Sequence, residues 1–285
     1  MIDYLLVDMF TDRPFTGSSL GVVPDADRLD TAAMRAIAAE LNATETAFVL
    51  TPSSPEATYR VRVFTPSNES PHGGHSAVGT AATLVRLGVI PGGPVVQECG
   101  TGRQHLIAEP GRATLTGSGA LPGTAVDPEP LLGAVGLTAA ETDLYSPMAA
   151  GFSARFPFLP VHERALAVAR PDHRRLGELG VAALFLFSWR PDSRCARARL
   201  FAPGFDIPED PACAPVALAL GIWLAEAGLF PEPDGLHGYH IRQGDEIGRP
   251  AVLRCTAEIT DGRVARAAVT GSVTAVADGR IAVPA

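Results

Sequence analysis

The chain has 285 residues, 46% hydrophobic and 19% charged, enough for one large domain or two of ordinary size. Its formal charge of −8 argues against nucleic acid as a partner, because neutralising phosphates takes a basic face. Lysine is absent and all 23 strongly basic side chains are arginine, which excludes Schiff-base chemistry on lysine and a phosphate-binding Walker A lysine.

The opening "MIDYLLVDMF" carries acids and no basic flank, so it does not read as a signal peptide, and "YLLVDMF" reads as a strand. "DTAAMRAIAAELN" follows as a helix with Asp30 as its N-cap and apolar residues at helical spacing. "LNATETAF" puts Glu45 between that helix and a strand, where an acid is ordinarily a surface residue. "TAFVL" and "YRVRVFTP" are strands, the second alternating Val61 and Val63 with Arg60 and Arg62. "HSAVGTAATLVRLGVI" is a helix with almost no polar face, which predicts burial all round. Before it, "HGGHSA" combines Gly73 and Gly74, which let a ligand approach the backbone, with His75, which can shuttle a proton; a plain glycine turn is the alternative. A helix start of this kind presents unpaired N–H groups to a carboxylate or phosphate. "ECGTGR" at 98–103 has a strand before it and a strand after it, so Cys99 lacks the helix that would activate a thiol.

The second half repeats the order. "RARLFAP" is a strand and "PVALALGIWLAEAGLF" a second nearly apolar helix. Phe64-x-Pro66 aligns with Phe201-x-Pro203; after a three-residue insertion Glu69 aligns with Glu209, Pro71 with Pro211, Gly88 with Gly228 and Pro91 with Pro231. The join falls near "ALPGTAVDP", which gives halves of 1–122 and 123–285. Two long copies imply pseudo-twofold symmetry, with a cleft between halves as the expected ligand site. The expected fold is α+β: two pseudo-symmetric halves, each a strand-rich sheet or barrel wrapped around a central buried helix. Asp210 in "EDPACAP" then stands at the second helix start, with an N-cap role as the simpler reading. Tyr145, Phe152, Phe156 and Phe158 are read as core residues first and pocket residues second. His72-x-x-His75 and His237-x-x-His240 lack the spacing of a zinc motif, so no metal is expected. No stretch reaches the roughly eighteen apolar residues of a membrane span. The four cysteines (Cys99, Cys195, Cys213 and Cys255) form no CxxC and suit a reducing cytoplasm.

Six segments in order carry a resemblance: "VDMFTDRPFTG", "ELNATETAFVL", "FTPSNESPHGGHSAVGTA", "RLFAPGFDIPEDPA", "RQGDEIGRPA" and "VTGSVTAVADGRI". Together they resemble the PhzF-like phenazine biosynthesis family, which has the diaminopimelate epimerase type of fold, over nearly the whole chain. The resemblance implies a cofactor-independent isomerase and a homodimer. It implies that Glu45 is the general acid and base, that His75 and Asp210 hold the substrate or assist proton transfer, and that the Gly74 N–H contacts the substrate.

Two segments depart from the family pattern. Gly17-Ser18-Ser19 replaces Gly-Asn-Pro, and Cys213-Ala214-Pro215 replaces Thr-Gly-Ser. The second change removes a hydroxyl and an amide donor, roughly 1.5–3 kcal/mol each toward a charged ligand. A small cyclic or unsaturated, amino acid-like carboxylic acid other than the phenazine precursor is therefore expected, in secondary metabolism such as phenazine-like or alkylproline precursor synthesis. Gly73, Gly74, Cys213, Ser18 and Ser19 are expected to contact it. Two alternatives stand beside this reading: an epimerase or racemase using Cys213, whose counterpart near His72 or Gly73 is not a cysteine, and a non-catalytic binding or scaffold member of the fold.

Overall fold

The computed structural model describes residues 1–284. It divides into two units: unit 1 takes Met1–Thr116 and the chain from Thr270 onward, and unit 2 takes Gly117–Val269. The division differs from the boundary at 122/123 expected from composition, because residues 273–281 run antiparallel to the first strand and so return to unit 1.

Unit 1 begins with strands β1 (Ile2–Met9) and β2 (Ser18–Val23), followed by helix α1 (Thr31–Leu41). Asp30 caps α1 as the sequence predicts, accepting from the Ala33 N–H at 2.8 Å, and Asn42 ends it in the left-handed region at φ 48°. Strands β3 (Glu45–Leu50), β4 (Tyr59–Phe64) and the short β5 (Glu69–Ser70) precede helix α2 (Ala77–Arg86). Strands β6 (Gly93–Cys99), β7 (Gly102–Glu109) and β8 (Arg112–Ser118) complete the run. The β2–β3 and β4–β6 pairs are parallel; β1–β2, β3–β4, β6–β7 and β7–β8 are antiparallel. The last strand of the chain joins β8 to β1, through the Val273 N–H to Gly111 C=O bond at 2.8 Å among others. The sheet thereby closes on itself and leaves no free edge there. Residues 77–84 of α2 are all buried, as an all-apolar helix requires. A methyl group on Gly79 would come within 2.5 Å of Leu20 and Met9, so the glycine lets α2 press against β1 and β2. On the other face of the sheet, Met34 and Ile37 of α1 pack with Phe48 and Phe64.

Unit 2 follows the same plan. It contains β9 (Leu121–Ala125), α3 (Pro128–Ala134), β10 (Met148–Gly151), β11 (Arg155–Pro160), α4 (Glu163–Val168), α5 (His173–Glu178), β12 (Leu184–Arg190), β13 (Cys195–Ala202) and β14 (Ile207–Asp210). Helix α6 (Ala214–Glu226), β15 (Gly235–Gln243), β16 (Ala251–Thr260) and β17 (Arg263–Ile281) follow, β17 continuing into unit 1. The β11–β12 and β13–β15 pairs are parallel, matching β2–β3 and β4–β6, and β10–β11, β12–β13 and β15–β16 are antiparallel. Strand β12 is apolar on both faces because both are covered. Leu184 and Leu186 meet α3, α4 and α5, while Phe187 meets Trp223 of α6 edge-on at 4.9 Å. Phe158 belongs to this core, against Phe185; Tyr145 lies half-buried against Trp223, and Phe152 and Phe156 are half-buried. Among the described residues no helix is long and apolar enough to cross a membrane.

Candidate active site

In unit 1 the predicted residues gather at the start of α2. Gly73, Gly74 and His75 are buried, and the helix begins at Ala77, two residues later than His75. His75 Nε2 lies 3.0 Å from the Ser18 hydroxyl. Leu20 and Glu45 are register partners in the parallel β2–β3 pair, so they share a face of the sheet. Leu20 faces α2 at Gly79, and Ser18, two residues earlier, faces the same way. Glu45 is therefore a carboxyl on the α2 side of the barrel wall, only 5% exposed, rather than the surface acid its local sequence suggests.

The glycine turn is held by groups that belong to no motif. Gln97 Nε2 donates to the Gly73 carbonyl at 3.0 Å, and the Tyr59 hydroxyl donates to Gln97 Oε1 at 3.0 Å. The Gln104 side-chain amide lies against the same loop, 3.0 Å from the Gly74 nitrogen and 3.1 Å from the Gly73 carbonyl oxygen. Burial pushes the Tyr59 phenol well up, with the Cys99 thiol acting in the same direction, so Tyr59 is a neutral donor. A methyl group on Gly73 would come 2.7 Å from Gln97 Nε2 and 3.0 Å from Cys99 Cβ. The available signal was Gln97 itself, a polar residue in phase with inward Val95. Cys99 ends β6 and leads by a turn into β7, the strand-turn-strand setting expected of it.

In unit 2, Asp210 is 2% exposed at the end of β14. It is not the N-cap of α6; Cys213 holds that position, and its side chain makes no capping bond. Asp210 Oδ1 accepts from the Ala212 N–H at 3.0 Å, and its carbonyl accepts from Gln243 Nε2 at 2.6 Å. Helix α6 begins at Ala214, the repeat counterpart of Gly74, so the stretch that forms the glycine turn in unit 1 is the first turn of helix in unit 2. Pro215 fits that first turn because an N–H there would have no intrahelical partner. Cys213 is half-buried.

The family model for phenazine biosynthesis-like proteins matches residues 7–279. The chain is 33% identical over 304 residues to a Mesorhizobium japonicum protein described as an uncharacterized isomerase, covering 98% of each. It is 30% identical over 302 residues to a trans-2,3-dihydro-3-hydroxyanthranilate isomerase of Pseudomonas aeruginosa, covering 97% of this chain and 98% of that one. Among solved structures it is similar to a PhzF-family phenazine biosynthesis protein of Bacillus anthracis, with a TM-score of 0.86 at 22% identity over 99% of both chains, a likeness of fold.

Proposed function

Because the chain belongs to the phenazine biosynthesis-like protein family and is an isomerase, we propose that it moves a proton and a double bond within a small carboxylic acid, with Glu45 as both acid and base. The observation that carries this reading is the burial of Glu45 on the face of β3 that looks toward α2, the same face from which Ser18 reaches His75. Shifting a double bond takes one group that removes a proton from one carbon and returns one to another. A carboxyl shielded from water suits both tasks. His75 assists by holding the acid or relaying the proton beside the loop at Gly73 and Gly74, and the assisting roles of Asp210 and Cys213 are carried over from the family resemblance alone. The reaction needs no organic cofactor, and the lack of lysine supports this for Schiff-base chemistry.

The name of the Pseudomonas aeruginosa relative points to an unsaturated ring acid as the class of substrate. Cys213 and Pro215 offer fewer strong donors than a hydroxyl and an amide, which favours a different member of that class, such as an alkylproline or phenazine-like precursor. The test is incubation with trans-2,3-dihydro-3-hydroxyanthranilate and related cyclic amino acids in D2O without added cofactor, followed by NMR. Deuterium should appear at one carbon as the double bond moves, and Glu45→Gln should slow turnover about 10²–10⁴-fold. Full turnover by Glu45→Gln overturns the reading.

One observation favours an epimerase instead: Cys213 stands at the start of a 13-residue helix without capping it, a position that activates thiols. That reading predicts deuterium at a stereocentre with no double bond moved. It also predicts that Cys213→Ser, not Glu45→Gln, abolishes the reaction.

A further inference from the structure

We propose that Ser18 and Ser19 are positioning residues, Ser18 for His75 and Ser19 for Glu45, and not groups that touch substrate. The inference rests on the roles given above to Glu45 and His75. Adjacent residues of a strand point to opposite faces, so these two hydroxyls serve different sides of β2. Ser18 faces inward and is 0% exposed, and its oxygen lies 3.0 Å from His75 Nε2. A buried ring nitrogen that loses its partner is costly, so this contact holds one orientation of the ring, the hydroxyl donating to a bare Nε2 or accepting from Nε2–H. The turn that delivers Ser18 to this place needs Gly17, which sits at φ +67° with the Met9 carbonyl where a side chain would be.

Ser19 faces the other way and holds the chain just before Glu45. Its oxygen accepts from the Thr44 N–H at 3.0 Å and lies 3.1 Å from the Thr44 hydroxyl. The β2–β3 ladder begins one residue later, at Leu20 and Glu45. Ser19 thus ties down the end of the ladder at the point where Glu45 emerges, and a residue without a hydroxyl at this position leaves the Thr44 N–H to water. Ser18 is 0% exposed, so its hydroxyl is turned to His75 and not to a ligand, and the Ser19 hydroxyl is already engaged twice with Thr44.

The experiment uses the full chain without ligand. ¹⁵N-histidine spectra, with the His75 signals assigned by their loss in His75→Gln, report the hydrogen bonding of each ring nitrogen, and hydrogen exchange reports the Thr44 amide. Ser18→Ala should shift the His75 Nε2 signal, and Ser18→Thr should keep the wild-type pattern. Ser19→Ala should speed exchange at Thr44 about fivefold, the worth of one ordinary hydrogen bond. Unchanged His75 nitrogens in Ser18→Ala, or unchanged Thr44 exchange in Ser19→Ala, overturns the proposal, since a hydroxyl that only contacts substrate is silent in the free protein. The two failures are separable. Full turnover by Glu45→Gln removes the proposed reaction and leaves the spectra standing, whereas silent spectra remove the positioning role and leave Glu45 in place.

Discussion

Arg199 and Glu209 meet through two parallel hydrogen bonds, Nε to Oε1 at 2.9 Å and Nη2 to Oε2 at 2.7 Å. Their repeat counterparts, Arg62 and Glu69, meet in the same way at 2.7 Å and 2.7 Å. In each unit the guanidinium also stacks on the phenylalanine two residues later, Phe201 at 4.8 Å and Phe64 at 5.3 Å. The glutamate is followed by a residue whose side chain accepts from the N–H two positions on: Asp210 from Ala212, and Ser70 from His72. One clamp and one turn are therefore used twice to lead the chain into a buried helix, with an acid placed after the clamp in unit 2 and a hydroxyl in unit 1. Both clamps bridge the antiparallel strands β4–β5 and β13–β14, where Val63 faces Ser70 and Leu200 faces Asp210.

The two clamps should differ in energy. Arg199 and Glu209 are 8% and 10% exposed, and Arg199 also donates to the Leu166 and Ala169 carbonyls. Arg199→Ala leaves a buried carboxylate without its partner and should cost about 3–5 kcal/mol in denaturant unfolding. Arg62→Ala, at a pair exposed to water, should cost no more than about 1 kcal/mol. Equal losses would show that the burial difference is not what sets them apart.

Acid should weaken the unit 1 clamp in a defined window. The hydrogen bonds from Arg62 hold the Glu69 carboxyl below the usual carboxylate range, against an opposing push from burial. The stabilisation is present above the unfolded carboxylate pKa, about 4.3, and is lost as pH falls through the lower folded value. Melting curves from pH 7 to 3 should show Glu69→Gln losing less stability over that window than the parent chain. The difference should shrink in high salt, because the pair is partly exposed.

The glycine turn should not accept a side chain. Gly73→Ala drives a methyl group against Gln97 and Cys99 and should cost about 1–3 kcal/mol. Gln97→Leu removes the donor to Gly73 and the acceptor for Tyr59, and should cost about the same through unmet buried groups. Both can be read from thermal melts. A wild-type melt for Gln97→Leu would mean that the network does not hold the loop.

Thiol chemistry should divide the cysteines two against two. Burial pushes the thiols of Cys195 and Cys255 up, and they are 5% and 4% exposed. They should resist a maleimide in the folded chain and react on unfolding, whereas half-buried Cys99 and Cys213 react first. Mass spectrometry of timed labelling gives the order directly, and early labelling of Cys255 contradicts it.

Local and periodic features were legible in the sequence because short-range physics sets them. The Asp30 cap, the two all-apolar helices and the strand-turn-strand around Cys99 depend on neighbours within a few residues. The repeat was legible because matched residues such as Phe64 and Phe201 recur in order. What the sequence could not supply was the partner of each polar group. Gln97 is separated by a helix and several turns from Tyr59 and the Gly73 carbonyl it serves, and nothing in "PVVQEC" announces them.

The sequence by itself determined the fold class, the family and the stretches of chain on which Glu45, His75 and Asp210 stand, since each follows from residue type and order. Only the tertiary structure decided that Ser18 and Ser19 serve His75 and Thr44, that Cys213 rather than Asp210 heads α6, and that residues 273–281 pair with β1. Those outcomes depend on strand register and on which face of a sheet a residue occupies. A shift of one position reverses the face, and only the packed chain fixes the register.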